Sequence, residues 1–131
     1  MSDAARLLRG SPYFPVADVA RSVAYYERVL GFRCEGLAGG DPPQFAIVSR
    51  DGLSVMLRRV AQPERIAPVE SQGGTWDAFF WVDDARKLHA ELAGRGAVVV
   101  YGPLVQPYGM LEFAVRDEDG HVLGLGQAIE S

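Results

Sequence analysis

Cysteine is almost absent from this sequence, and long apolar runs and clusters of basic residues are missing. The single cysteine, Cys34, excludes an intrachain disulfide and any metal site built from several thiolates. No apolar run approaches the roughly 18 residues that a membrane-spanning helix requires, and the N-terminus lacks the basic-then-apolar order of a signal peptide. The 13 Lys and Arg residues are scattered and outnumbered by 17 Asp and Glu residues, which leaves no basic surface for nucleic acid. We therefore expect a cytoplasmic protein that binds neither membranes nor nucleic acid.

What the sequence does contain is one pattern written twice. Asp18, an apolar stripe at helical spacing and Gly31 are followed 65 residues later by Asp83, a second helical stripe and Gly96. An offset that is constant between landmarks indicates two copies of one supersecondary unit. At 48% hydrophobic, the 131 residues can bury the core of a single globular domain, which we assign to residues 1–131.

Alternation, helix caps and turn signals predict the order βαβββ in each copy. In the first copy, Asp18 caps a helix that Gly31 ends, and strands are expected at 11–16, 32–37, 44–49 and 53–59. In the second copy, a helix is expected at 84–93, with strands at 76–82, 98–101, 110–115 and 122–127. A loop rich in Pro and Gly is expected from Gly102 to Gly109. The modules are thus residues 10–59 and 76–129, joined by a linker at 60–75.

Two motifs make the chain resemble the vicinal oxygen chelate superfamily, which contains glyoxalase I, extradiol dioxygenases, fosfomycin resistance enzymes and the bleomycin resistance proteins. They are Pro15-Val-Ala-Asp18 with Ser22, Tyr25-Tyr26 and Leu30-Gly-Phe32, and Val115-Arg-Asp-Glu-Asp-Gly120. The resemblance implies an α+β fold of two tandem βαβββ modules, whose mixed sheet curls around an open cup with the helices on the outer face. One helix covers only one face of a sheet, so the uncovered faces must meet within one chain or between two chains.

Enzymes of this superfamily hold a divalent metal in the cup with His, Glu or Gln side chains. Aligning the motifs places the four ligand positions at Ser11, Met56, Asp77 and Gly124. Three of these residues are poor metal ligands, and the fourth is a lone carboxylate. We therefore expect no metal and no other cofactor.

Other polar residues offer few alternatives. His89 is expected on the surface or edge of the second helix, and His121 in a turn before the last strand. Asp77 and Glu112 are the strand carboxylates that would serve an acid–base mechanism. For Glu112, an outer-strand position paired with an arginine is favoured.

Strand alternation predicts which side chains share the face of the four ligand positions. The opposite face, directed at the helices, is predicted to form the core through Phe14, Val16, Phe80, Val82, Leu123 and Leu125. The predicted ligand-binding residues are Ser11, Tyr13, Met56, Arg58, Asp77, Phe79, Trp81, Tyr108 and Glu112. The aromatic members of this set either fill the cup or stack on a ligand.

The sequence therefore favours a non-catalytic protein, closest in character to the bleomycin resistance branch, that sequesters a planar or largely apolar small molecule. That branch implies a homodimer and an activity like antibiotic resistance. Three alternatives remain open: a metal-independent lyase or isomerase that uses Asp77 or Glu112, a metalloenzyme with displaced ligands, and an interaction protein whose cup is plugged by Trp81, Tyr13 and Tyr108.

Overall fold

Two βαβββ modules follow one another in the computed structural model, which describes residues 3–129; the first two and last two residues of the predicted domain lie outside this range. The first module consists of β1 (Tyr13–Val16), α1 (Val19–Arg28), β2 (Arg33–Ala38), β3 (Phe45–Arg50) and β4 (Leu53–Arg59). The second consists of β5 (Ala78–Trp81), α2 (Ala85–Gly94), β6 (Val98–Gln106), β7 (Met110–Arg116) and β8 (Val122–Ala128). Two short 3₁₀ turns, Pro63–Arg65 and Val69–Gln72, lie between the modules.

Each module forms its own four-stranded mixed sheet, with the order β1-β4-β3-β2 in the first and β5-β8-β7-β6 in the second. In both sheets the first strand pairs in parallel with the last, and the other pairs are antiparallel. The predicted α+β fold of two tandem modules is confirmed, and neither sheet closes on itself. The helices of residues 3–129 are too short to cross a membrane, at 10 residues each.

The helix boundaries follow from their caps. The Asp18 carboxylate accepts a hydrogen bond from the Arg21 backbone amide at 3.0 Å, and Asp84 does the same for Lys87 at 3.0 Å. The second cap is therefore Asp84, one residue later than the repeat of Asp18 suggests, because Asp84 is the residue with extended backbone at the helix start.

The loop predicted from Gly102 to Gly109 is wrong for most of its length, because β6 continues to Gln106. β6 is the edge strand of its sheet, and Pro103 lies between Tyr101 and Leu104, where the pairing with β7 is interrupted, so a residue without a backbone N–H is tolerated there. Register irregularities between Val99 and Leu104 absorb the change of backbone direction. Only a tight turn at residues 107–109 separates β6 from β7.

The hydrophobic core is continuous between the modules, since helix-side residues of both sheets and of both helices belong to one buried cluster. This arrangement confirms the predicted direction of the core side chains. Phe14, Val16, Leu123 and Leu125 are buried, and Phe80 and Val82 pack against the cluster while partly exposed. The two modules are therefore joined by their helix sides.

The β7–β8 turn, residues 117–121, fastens the second module to the first. Asp119 accepts hydrogen bonds from the Ala17 backbone amide at 3.0 Å and from the Ser22 hydroxyl at 3.3 Å. Asp117 accepts one from the Tyr26 hydroxyl at 2.8 Å. Burial raises the pKa of Asp117, and burial together with the nearby Asp117 raises the pKa of Tyr26. The motif at the end of the second copy therefore holds the two modules together, and the hydrogen bonds that Asp117 and Asp119 accept from the first module are called the clasp below.

The turn between β3 and β4 makes the reciprocal contact with α2. The Arg50 guanidinium donates to both carboxylate oxygens of Glu91 at 2.8 Å, and also to the Leu30 carbonyl at 2.9 Å. The hydrogen bonds from Arg50 lower the pKa of Glu91. Each module thus binds the helix region of the other through its last hairpin.

Replacing Asp119 with alanine tests the clasp. The substitution removes the acceptor of the Ala17 amide, and we expect it to lower the free energy of unfolding by about 1–3 kcal/mol. Urea denaturation followed by circular dichroism measures the change. The neighbouring Glu118, which makes only a 3.6 Å ion pair with Arg21, provides the matched control, and Glu118→Ala should change stability by less than about 0.5 kcal/mol. Equal effects of the two variants would show that the turn does not hold the modules together.

Candidate functional site

The face of the first sheet that points away from the helices is open to solvent. Its residues are exposed or half-buried, while those that alternate with them are buried: Tyr13, Pro15, Phe45, Ile47, Ser54, Met56 and Arg58 form this open face. Tyr13 is 59% exposed, and its ring lies 6.4 Å from that of Phe45. An apolar and aromatic surface that lacks a cover is typical of a binding or association site.

The corresponding face of the second sheet carries three aromatic rings in a row. Trp76 and Phe79 have ring centroids 4.6 Å apart, and Phe79 meets Trp81 edge-on at 5.1 Å. The rings of Trp76 and Phe79 cover Gly124, where a Cβ atom would lie 2.6 Å from Phe79 Cδ2 and 2.7 Å from Trp76 Cδ1. A Cβ at Gly126 would lie 2.6 Å from Phe79 Cζ. The two glycines are therefore required for the rings to lie on the sheet.

The four positions at which the superfamily holds its metal have other uses here. The Ser11 hydroxyl donates to the Ser54 carbonyl at 3.0 Å, Met56 offers only a thioether, and Gly124 has no side chain. Within residues 3–129, no three His, Cys, Asp or Glu side chains converge into a group that holds a metal ion. The residues at these positions do not fit a divalent cation.

Asp77 is engaged by the backbone. Its Oδ1 accepts from the Val69 amide at 3.0 Å and its Oδ2 from the Val122 amide at 2.8 Å. His121 Nδ1 lies 3.8 Å from the same carboxylate. These contacts fix the segment before β5 against β8, so a ligand would have to compete with two backbone hydrogen bonds for Asp77.

The face of each sheet that points away from its helix is called its cup face below. The two histidines lie outside both cup faces. His89 packs edge-on against Phe113 at 5.3 Å, which confirms the edge-packed helix position. His121 is 3% exposed, stacks on Phe14 at 4.3 Å, and its Nε2 lies 2.8 Å from the Pro15 carbonyl oxygen. His121 therefore belongs to the junction of the two modules.

Glu112 is the buried acid of the second cup face, and the prediction that it lies on an outer strand beside an arginine is wrong. β7 is an inner strand, and Glu112 is 0% exposed. Its two carboxylate oxygens accept hydrogen bonds from the Tyr101 and Tyr108 hydroxyls. Trp76 Nε1 in turn donates to the Tyr101 hydroxyl at 2.7 Å. Burial and the Glu112 carboxylate raise the pKa of Tyr101. Local desolvation of the hydroxyl group and its hydrogen bond to Glu112 raise the pKa of Tyr108 to about 12, so both phenols stay protonated and donate at neutral pH.

The predicted ligand-binding residues fall into two groups. One group lies on or beside the first sheet (Ser11, Tyr13, Met56 and Arg58), and the other lies on or beside the second sheet (Asp77, Phe79, Trp81, Tyr108 and Glu112). Among residues 3–129, no hydrogen bond, ion pair or ring contact links the two groups. Their common role in one ligand site therefore stays a prediction.

Two residues of the second cup face, Trp76 and Tyr101, were not predicted from the sequence as part of the site. Trp76 was not assigned to the ligand set, and Tyr101 was taken as the end of a short strand. Tyr101 lies within the predicted strand, but its contact with Glu112 depends on the shifted register of β6 against β7 between Val99 and Leu104, which no sequence signal marks.

A second concavity lies on the helix side, between the modules. This groove has a volume of about 670 Å³ and is bordered by Phe32, Leu53, Phe80, Trp81 and Leu88, with charged residues such as Lys87 at its rim. Trp81 is 71% exposed and borders both this groove and the cup face. Experiments on a ligand must therefore distinguish the two surfaces.

Comparison with known proteins gives a consistent picture. The model of the Glyoxalase/Bleomycin resistance protein/Dioxygenase superfamily matches residues 10–125. No protein of curated function matches the sequence. Among solved structures, TioX from Micromonospora sp. ML1 is 25% identical, with a TM-score of 0.70 over 93% of this chain and 99% of TioX. TnmS3, an antibiotic binding protein from Streptomyces sp. CB03234, is 25% identical, with a TM-score of 0.66 over 98% and 99%. A bleomycin resistance determinant encoded on the transposon Tn5 is 22% identical and shares the fold, with a TM-score of 0.73 over 93% and 98%.

Gly124→Ala tests whether the rings of Trp76 and Phe79 lie on the sheet. The added methyl group would overlap both rings, so we expect the free energy of unfolding to fall by about 1–3 kcal/mol and the tryptophan emission to shift as Trp76 moves. Denaturation and fluorescence spectra measure the two effects. Gly36→Ala, in a strand where a Cβ meets nothing within 4 Å, is the control. If Gly124→Ala leaves both signals unchanged, the rings do not occupy this position.

Proposed function

The chain belongs to the glyoxalase/bleomycin resistance protein/dioxygenase superfamily. We propose that it is a non-catalytic ligand-binding member, which sequesters a planar or largely apolar small molecule on the cup face. One observation carries the proposal. At Gly124, where the resemblance places a metal ligand, the structure has the rings of Trp76 and Phe79, which are tilted against each other with centroids 4.6 Å apart. A surface of this kind recognises flat molecules by stacking and burial and requires no cofactor.

A relative supports this direction. TnmS3 is described as an antibiotic binding protein, and it resembles this chain over nearly its full length. An activity like antibiotic resistance by sequestration is the corresponding proposal here. Each aromatic contact would add about 0.5–1.5 kcal/mol beyond area burial, so two or three contacts together with the burial are enough for micromolar binding of a rigid ligand.

We also propose that the protein acts as a homodimer. In the single chain both cup faces are open, with Tyr13 and Trp81 mostly exposed, because the modules are joined by their helix sides. Pairing the first-module face of one copy with the second-module face of another would cover both apolar surfaces and bring the two groups of predicted ligand residues together. The module limits and the cytoplasmic location remain predictions from the sequence.

Binding is tested with a library of planar aromatic compounds. We expect some of them to raise the melting temperature and to quench tryptophan fluorescence, with unchanged affinity when a chelator is present. For such a compound, Phe79→Ala should weaken binding by about 2 kcal/mol, roughly thirtyfold, through lost stacking and burial. Leu88→Ala, which alters the helix-side groove and the core beside it but lies away from Phe79, is the control.

Three outcomes would contradict this proposal. Flat thermal and fluorescence signals across the library would remove the support for sequestration. A loss of affinity in Leu88→Ala but not in Phe79→Ala would move the site to the helix-side groove. Chelator-resistant turnover of a bound compound that disappears in Glu112→Gln would favour a metal-independent enzyme, because Glu112 is the buried carboxylate nearest the rings that is not held by backbone amides.

The dimer is tested by native mass spectrometry of the purified protein at micromolar concentration. Since the chain has a mass of 14.2 kDa, we expect a species of twice that mass. Trp81→Glu should produce monomers, because it places a charge on the exposed cup face. Leu37→Glu, at a position that is 59% exposed on β2 and alternates toward the helix side, should remain dimeric. A monomeric wild-type protein would contradict the proposal.

A further inference from the structure

The second cup face contains a carboxylate without a counter-charge. Glu112 is 0% exposed, yet within residues 3–129 no Lys, Arg or His nitrogen forms an ion pair with it. Both of its oxygens accept from neutral hydroxyl groups, which leaves the acid in an acceptor-only role. Burial of a charge is unfavourable unless a partner compensates for it, and two phenols compensate less well than a cation.

The two tyrosines that contact Glu112 differ in how firmly they are held. Tyr101 is half-buried, and its hydroxyl also accepts the 2.7 Å hydrogen bond from Trp76 Nε1. Tyr108 is 59% exposed, lies in the tight turn before β7, and its hydroxyl is bound to Glu112 Oε1. Tyr108 can therefore turn into solvent by breaking this one hydrogen bond, provided that another donor replaces it on Glu112, while Tyr101 is held from both sides.

Glu112 lies close enough to the aromatic rings for one small molecule to contact both. It is opposite Gly126 in the β7–β8 pair, and Gly126 is opposite Trp81 in the β5–β8 pair. Two strand spacings separate Glu112 from Trp81, which is about 10 Å along the sheet. A ligand of two or three fused rings that covers Phe79 and Trp81 would present its far end to Glu112.

From this geometry we propose that the ligand is an aromatic cation, and that Glu112 is the residue that selects it. The ligand's ammonium or amidinium group takes the place of the Tyr108 hydroxyl on Oε1, while its rings stack on Phe79 and Trp81. A neutral donor would only exchange one hydroxyl for another, whereas a cation supplies the missing counter-charge. This inference rests on the proposed binding function and names its ligand class.

A matched set of three anthracenes separates ring binding from charge recognition. The compounds are 9-(aminomethyl)anthracene, which is an ammonium at pH 7, 9-anthracenemethanol, which is neutral, and 9-anthracenecarboxylate, which is an anion. Fluorescence titration should show that the ammonium compound binds at least about tenfold more tightly than the alcohol, and the anion most weakly. If the alcohol binds as tightly as the ammonium compound, the inference is wrong but the binding function stands. If none of the three binds while a neutral planar compound of the library does, the inference is wrong and the binding function stands; if no compound of the library binds either, both are wrong.

Variants of the acid and its movable partner assign the effect to Glu112. Glu112→Gln should reduce the ratio of ammonium to alcohol affinity to about one. Tyr108→Phe should increase that ratio by about threefold or more, because the competing hydroxyl is gone. Glu64→Gln, which makes the same charge change on an exposed 3₁₀ turn, should leave the ratio unchanged. Thermal unfolding confirms that each variant is folded; if Glu112→Gln is not, an unchanged ratio in Tyr108→Phe is sufficient to overturn the assignment.

Discussion

The hydrogen bonds of the β7–β8 turn determine which surfaces of this protein are free. Asp117 and Asp119 bind Tyr26, Ser22 and the Ala17 amide, and so hold the start of the first module against the end of the second. Acceptors this deeply buried are stabilising only while each has its donor, since an unpaired polar group in the interior carries a full desolvation penalty. Because these contacts lie on the helix side, both cup faces stay exposed in the single chain. They are therefore the surfaces on which we expect the function to lie.

The two copies of the repeat have diverged in how they fill their cup faces. The residues of the first face are exposed or half-buried, and its aromatic residues are Tyr13 and Phe45. The second is covered by Trp76 and Phe79 and contains the buried Glu112 with its two phenols. In the proposed dimer, a ligand between the two faces would meet the preformed rings of Trp76 and Phe79 on one side, which reduces the ordering cost of binding.

Local sequence signals were sufficient for the elements but not for their assembly. Asp18 and Gly31 predicted the helix of the first module closely, and β4 runs from Leu53 to Arg59 as expected. β6 was cut short because proline was taken as a strand terminator, a rule that fails at a sheet edge. The contact between Trp76 and Tyr101 could not be foreseen, because it depends on strand register and on ring directions across 25 residues of chain. The relative placement of the modules was also open, since amphipathic strands can bury their apolar face in more than one pairing.

The glycines of β8 connect the missing metal ligand to the rings of Trp76 and Phe79. A glutamate at Gly124 would need a Cβ atom where Phe79 Cδ2 and Trp76 Cδ1 already lie, 2.6 and 2.7 Å away. The two rings can therefore occupy this position only because residue 124 is a glycine. A metal-coordinating side chain could not be placed there without moving both rings. Moving Trp76 would also remove the hydrogen bond that holds the Tyr101 hydroxyl, which is one of the two donors to Glu112. The two rings and the buried acid therefore depend on each other, and we expect them to act on a ligand as a single site.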